Sequence, residues 1–114
     1  MTYQMNLHPS PFQAISLGLK DVEMRLNTPD RQAIKVGDYI EFTNNESGEK
    51  ITVLVVGIHP FKDFDELYQA YPKNRLGYLA DQTADPKDME LYYSRDKILA
   101  NGVLAIEIKL CTLQ

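Results

Sequence analysis

The stretch from Ile51 to Ile58 constrains the chain most. It runs Ile-Thr-Val-Leu-Val-Val-Gly-Ile, so apolar that a strand built from it needs cover on both faces at its centre and belongs in the middle of a sheet. The composition of Asn44-Asn45-Glu46-Ser47-Gly48 predicts a hairpin loop, which joins that strand to an alternating one over Tyr39 to Thr43 with Ile40 and Phe42 on one side. So short a loop makes the pair antiparallel, which argues against a purely parallel α/β sheet. The chain has 114 residues and shows no linker, repeat or low-complexity tract, so residues 1–114 read as one domain.

Other elements follow from local spacing. Met1 to His8 alternates loosely and predicts a first strand. Ser10-Pro11 is a helix start, with Ser as the cap. Phe12, Ile15 and Leu19 follow at helical spacing, and Gly18 is suited to end the helix. Asp21 to Asn27 alternates strictly, with Val22, Met24 and Leu26 on a core face and Asp21, Glu23, Arg25 and Asn27 on a charged one. Lys35 to Asp38 is a tight turn. Asp63 and Glu66 stand at capping-box spacing before Phe64, Leu67, Tyr68 and Tyr71, and Pro72 stops that helix. Asp85-Pro86 predicts another helix with Met89, Tyr92 and Tyr93 inward, and Ser94 to Ala100 adds a further turn closed by Asn101-Gly102. Val103 to Thr112 is the closing strand, with Leu104, Ile106, Ile108 and Leu110 alternating with polar residues. Five or six mostly antiparallel strands with two or three small flanking helices predict an α+β, partly open β-barrel.

Charge narrows the function. Twelve Lys and Arg against sixteen Asp and Glu leave a net of −4, unsuited to a polybasic coat on duplex DNA or an anionic membrane. The cationic excess is early: residues 18–35 carry four basic and three acidic residues, whereas 36–59 carry one against four and 60–96 five against eight. Contact with nucleic acid is therefore expected to be local. The single cysteine, Cys111, cannot form an internal disulfide and reads as a small core residue. No apolar run approaches a membrane span, and the N-terminus lacks the layout of a secretion signal, so a cytoplasmic location is expected. His8, His59 and Cys111 are isolated as soft ligands, so neither a metal nor another cofactor is expected. Familiar hydrolase, phosphate-loop and zinc signatures are absent from the sequence.

The unusual stretch is Gly18-Leu19-Lys20-Asp21-Val22-Glu23-Met24-Arg25. Strand alternation puts Glu23 and Arg25 on one face about 7 Å apart, with Lys20 just before the strand. Two cations flanking one carboxylate can hold a phosphate or a planar polar ligand and keep Glu23 ionised. The same alternation also fits charges paired in water on a solvated face.

The run fits Gly-x-Lys-x-x-Glu-x-Arg, and with Leu7-His8-Pro9, the Ile34 to Phe42 turn and strand, and the Tyr92-Tyr93 and Gly102 to Glu107 ending it resembles the small bacterial ASCH (activating-signal-cointegrator homology) domains over nearly the whole chain. That resemblance implies a PUA-like barrel with a cleft between barrel and helices, lined by Lys20, Glu23 and Arg25 and taking RNA or nucleotide-like ligands. Some small members hydrolyse the acyl amide of N4-acetylcytidine with a lysine, a threonine and a more distant glutamate, and a ribonuclease activity is ascribed to another. Here Lys20 keeps the lysine, but the position matching the threonine holds Glu23, which has no hydroxyl for an ester intermediate.

Three readings stay open. In the first, single-stranded RNA or a small nucleotide-like ligand binds with Lys20, Arg25 and Arg31 on phosphate and Glu23 on a base edge or ribose hydroxyl. Tyr78, Tyr92 or Tyr93 then offers a stacking face. In the second, the chain is a small hydrolase of a modified nucleoside or of RNA. Glu23 is its general base, Lys20 and Arg25 stabilise developing charge, and His8 shuttles a proton at the mouth of the cleft. The third is a protein-interaction domain, which needs an apolar surface patch that core periodicity does not leave over.

Overall fold

The computed structural model describes residues 1–111, and Thr112, where the closing strand was expected to end, lies outside them. Five strands are found: β1 (Thr2–Leu7), β2 (Val22–Leu26), β3 (Tyr39–Asn44), β4 (Lys50–Phe61) and β5 (Val103–Leu110). Three α-helices accompany them, α1 (Pro9–Ser16), α2 (Phe64–Ala70) and α3 (Arg95–Asn101), with 3-10 turns at Lys73–Leu76 and Pro86–Leu91. The strands form one sheet in the order β1-β3-β4-β5-β2. The β3–β4 hairpin is antiparallel, as are β4–β5 and β2–β5, while β1 runs parallel to β3. This is the α+β, PUA-like arrangement expected, a curled half-barrel with β4 at its middle.

The curl explains β2. Glu23 pairs with Ile106 and Arg25 with Leu104, so these four side chains share one face. That face belongs to the inner core, where Leu104 and Ile106 meet Ile40, Phe42 and Val53 and where Phe12 and Ile15 of α1 plug the curl. The opposite face of β2, Val22, Met24 and Leu26, packs with Phe64, Leu67 and Ile98 in a second core under the helical layer. Strict alternation predicts one dry face and one wet face. Instead both faces are covered, and the charged one looks into the fold.

Other departures have local causes. His8, not Ser10, is the N-cap of α1, and its side chain makes no capping bond. Val56 is 45% exposed, although the apolar run led us to expect cover on both faces. Alternation puts Val56 on the outer face with Leu54, and a register shift between Val55 and Gly57 makes it the extra residue of a bulge, with no cross-strand partner to cover it. The helix expected after Asp85-Pro86 is a 3-10 segment, with Asp85 accepting from the Lys87 amide and Met89 buried, while Tyr92 is left half out. Cys111 is only half-buried and joins neither core. Among the described residues no helix is long and apolar enough to cross a membrane.

Candidate functional site

A half-barrel has two free edges, here β1 and β2, and their seam is where the polar residues gather. The Arg25 Nη2 on β2 donates to the Asn6 carbonyl on β1 at 2.8 Å, bridging the seam. Its Nε donates to Glu23 Oε2 at 2.8 Å, and Lys20 Nζ sits 3.1 Å from Glu23 Oε1. Lys20 and Glu23 are 8% and 3% exposed. The three predicted residues thus form one ionic cluster with both carboxylate oxygens engaged.

Burial alone pushes the Glu23 carboxyl up, because a charge loses its hydration. The Lys20 ammonium and the Arg25 guanidinium outweigh that loss and hold it below the ordinary value of 4.5. Glu23 is therefore a charged anchor at neutral pH. Lys20 is held in place from two sides: its amide donates to the Ala14 carbonyl at the end of α1, and its side-chain stem lies against Gly77. A Cβ on Gly77 would stand 3.2 Å from Lys20 Cδ, so glycine lets the wall close over the lysine.

The cluster floors a cavity of about 460 Å³, the size of small-ligand pockets in general. Its walls come from the end of β1, from α1, from α2 through Tyr68, and from the segment between Leu76 and Tyr93. Lys73 ties that segment down through its Nζ bonds to the carbonyls of Ala80 and Gln82. Across the seam Arg25 and Asn6 also border a second hollow of about 300 Å³, and Arg31 lies there, donating to the Leu26 carbonyl at 3.2 Å. Arg25 is shared by both hollows; Arg31 borders only the smaller one.

His8 lies at the cavity, as its place at the end of β1 predicts. Its Nδ1 accepts from the Asn45 side-chain amide at 3.2 Å, and its ring lies 5.4 Å from that of Tyr92. Tyr93 lines the same cavity with its ring stacked on Phe64, and burial raises its phenol pKa although Arg25 pulls the other way. Tyr78 does not offer an open stacking face. Its ring meets Tyr68 edge-on, and its hydroxyl donates to Asp88 Oδ2 at 2.7 Å while lying 2.8 Å from the Tyr68 hydroxyl. Since Tyr78 donates its one hydroxyl hydrogen towards Asp88, the Tyr68 hydroxyl is the donor to Tyr78. Burial raises both phenols, so both stay protonated at neutral pH. Sequence reasoning missed Tyr68 and Asp88, which the spacing of their short segments presents as core boundary and surface.

His59, Glu107 and Tyr71 meet outside the cavity: Glu107 Oε2 accepts from the Tyr71 hydroxyl at 2.7 Å and lies 3.3 Å from His59 Nε2. Among the described residues no three His, Cys, Asp or Glu side chains gather as a metal-binding group.

The ASCH-domain family model matches residues 5–111. The chain is an ASCH-domain protein. Solved structures with this ASCH fold include the hypothetical protein PH0355, 27% identical, covering 97% of this chain and 100% of that one with a TM-score of 0.82. Protein PF0455 from Pyrococcus furiosus is 28% identical over 99% of this chain and 100% of that one, with a TM-score of 0.70. A mutant of ZmASCH from Zymomonas mobilis shares the fold at 18% identity, covering 95% of this chain and 67% of that one with a TM-score of 0.68. A search of curated proteins found no match.

Proposed function

We propose that this ASCH domain binds a nucleotide unit, free or at the unpaired part of an RNA strand, in the cavity floored by Lys20, Glu23 and Arg25. The observation that carries the reading is a buried cluster of two cations and one anion opening onto a cavity with tyrosines in its wall. Two positive charges against one negative leave a net positive floor. Lys20 has spare donors beyond its bond to Glu23, and Arg25 keeps the donors that Glu23 and Asn6 do not use, so both can meet a phosphate. Half-exposed Tyr92, seated on His8, and Tyr93 offer aromatic surface to a base, worth about 1 to 3 kcal/mol per stacked base. Arg31 borders the adjoining hollow, and in this reading it meets a neighbouring phosphate of a longer strand.

The same geometry weighs against Glu23 as the general base of a hydrolase. A base must take up a proton near neutral pH, and Glu23 has both oxygens engaged and a depressed proton affinity. Its part in the proposed site is to fix the two cations.

Fluorescence anisotropy of a labelled single-stranded RNA hexamer and calorimetry with nucleoside monophosphates test the reading. Saturable binding is expected, weakened about tenfold or more in Lys20→Met, which removes a charge-assisted contact but keeps an unbranched apolar stem. Absence of binding by both probes, or equal binding by Lys20→Met, overturns it.

A further inference from the structure

The cavity lining is of two kinds. Lys20 and Arg25 bring it a positive excess, while Asp88 brings it a second carboxylate besides Glu23. Asp88 is exposed, yet its carboxylate is not free to swing: Oδ2 accepts a hydrogen bond from the Tyr78 hydroxyl at 2.7 Å, and Tyr78 is itself fixed by Tyr68 at 2.8 Å. Tyr78 also reaches the Asp85 carbonyl at 3.3 Å. Oδ1 accepts no hydrogen bond from the described residues, and Oδ2 keeps a second lone pair. A carboxylate held in this way accepts two hydrogen bonds side by side and donates none.

Resting on the reading of the cleft as a nucleotide site, we propose that Asp88 makes it selective for guanine, with Tyr78 as its positioning residue. Donor patterns set the bases apart. Guanine presents a ring N–H beside an exocyclic amine, two adjacent donors that match one carboxylate. Adenine and cytosine each set their amine beside a bare ring nitrogen, and uracil sets its N–H between two carbonyls, so each of these would bring a lone pair against the negative charge. The phosphate of the same nucleotide is then met by Lys20 and Arg25, which line the same cavity. Glu23 does not take this role, because Lys20 and Arg25 already occupy both its oxygens.

Calorimetry with the 5′-monophosphates of guanosine, inosine, adenosine, cytidine and uridine tests this directly. Guanosine monophosphate is expected to bind about tenfold or more tighter than the adenosine, cytidine and uridine nucleotides. The inosine nucleotide, which keeps the ring N–H and lacks the amine, falls between. Asp88→Asn is expected to bring guanosine down to the level of the pyrimidine nucleotides, and Tyr78→Phe to narrow the preference with the carboxylate still present. An oligouridylate with and without one guanosine shows whether the selected base is also taken from a strand; a preference with either probe supports the proposal. Equal affinity for all the monophosphates, still lost in Lys20→Met, overturns guanine selection and leaves the nucleotide site standing. Failure of every nucleotide and strand to bind overturns both.

Discussion

A carboxylate as deeply buried as Glu23 keeps its charge only if both oxygens are answered, and here Lys20 answers one and Arg25 the other. Removing the charge strands Lys20 and Arg25 in a poorly hydrated place. Glu23→Gln is therefore expected to cost about 3 kcal/mol or more at pH 7 in urea unfolding. The pH dependence carries a further signature. Because the folded pKa of Glu23 lies below 4.5, its stabilisation is present above that pH and lost as pH falls through the folded value. Asp30 and Asp38, whose carboxyls are also held low, by Thr28 and by the Lys35 amide respectively, act equally in both proteins and cancel in the comparison. The gap between wild type and Glu23→Gln should shrink from pH 7 to pH 3. A gap that stays constant over that range contradicts the ion-pair account.

At the scale of elements, the turn after α3 can be tested against the turn after α1. Gly102 has φ +71°, and a Cβ there would stand 2.9 Å from the Phe61 carbonyl oxygen; Gly18 has φ +75° with open space around it. Both glycines relieve backbone strain, but only Gly102 also lets two backbones touch. Gly18→Ala should cost about 1 kcal/mol, and Gly102→Ala about 2 kcal/mol or more, as read from chemical denaturation. Equal costs would mean that the Phe61 contact relaxes freely. The elements also show what a sequence can reveal. The β3–β4 hairpin, the centrality of β4 and the Asp63 cap were legible because each rests on neighbouring residues. The parallel β1–β3 pairing, the Val56 bulge and the covering of the charged face of β2 were not, since each depends on partners far along the chain. The candidate site divides the same way. Lys20, Glu23 and Arg25 lie within six residues and could be grouped by alternation. Tyr68, Tyr78 and Asp88 come together through a helix, a loop and a 3-10 turn whose spacing has no period.

The whole molecule carries −4 and offers its proposed ligand one buried cation, Lys20, and one partly buried cation, Arg25, instead of a charged coat. Its radius of gyration, 13.4 Å, matches the ~13 Å of a compact chain of this length, so the cleft is a seam in a closed packing and not a gap between lobes. Salt should then weaken RNA binding only gently, with a log–log slope of about −1.4 for two phosphate contacts on a single strand. A slope of about −4 or steeper would point to an extended basic surface instead. The most direct test of the account locates the ligand. In a ¹⁵N-labelled sample titrated with guanosine monophosphate, the account predicts saturating amide shifts at Lys20, Met24, Arg25, Gly77 and Asp88, around the β1–β2 seam. Shifts confined to the cluster of His59, Glu107 and Tyr71 outside the cavity, or no shifts at all, would contradict it.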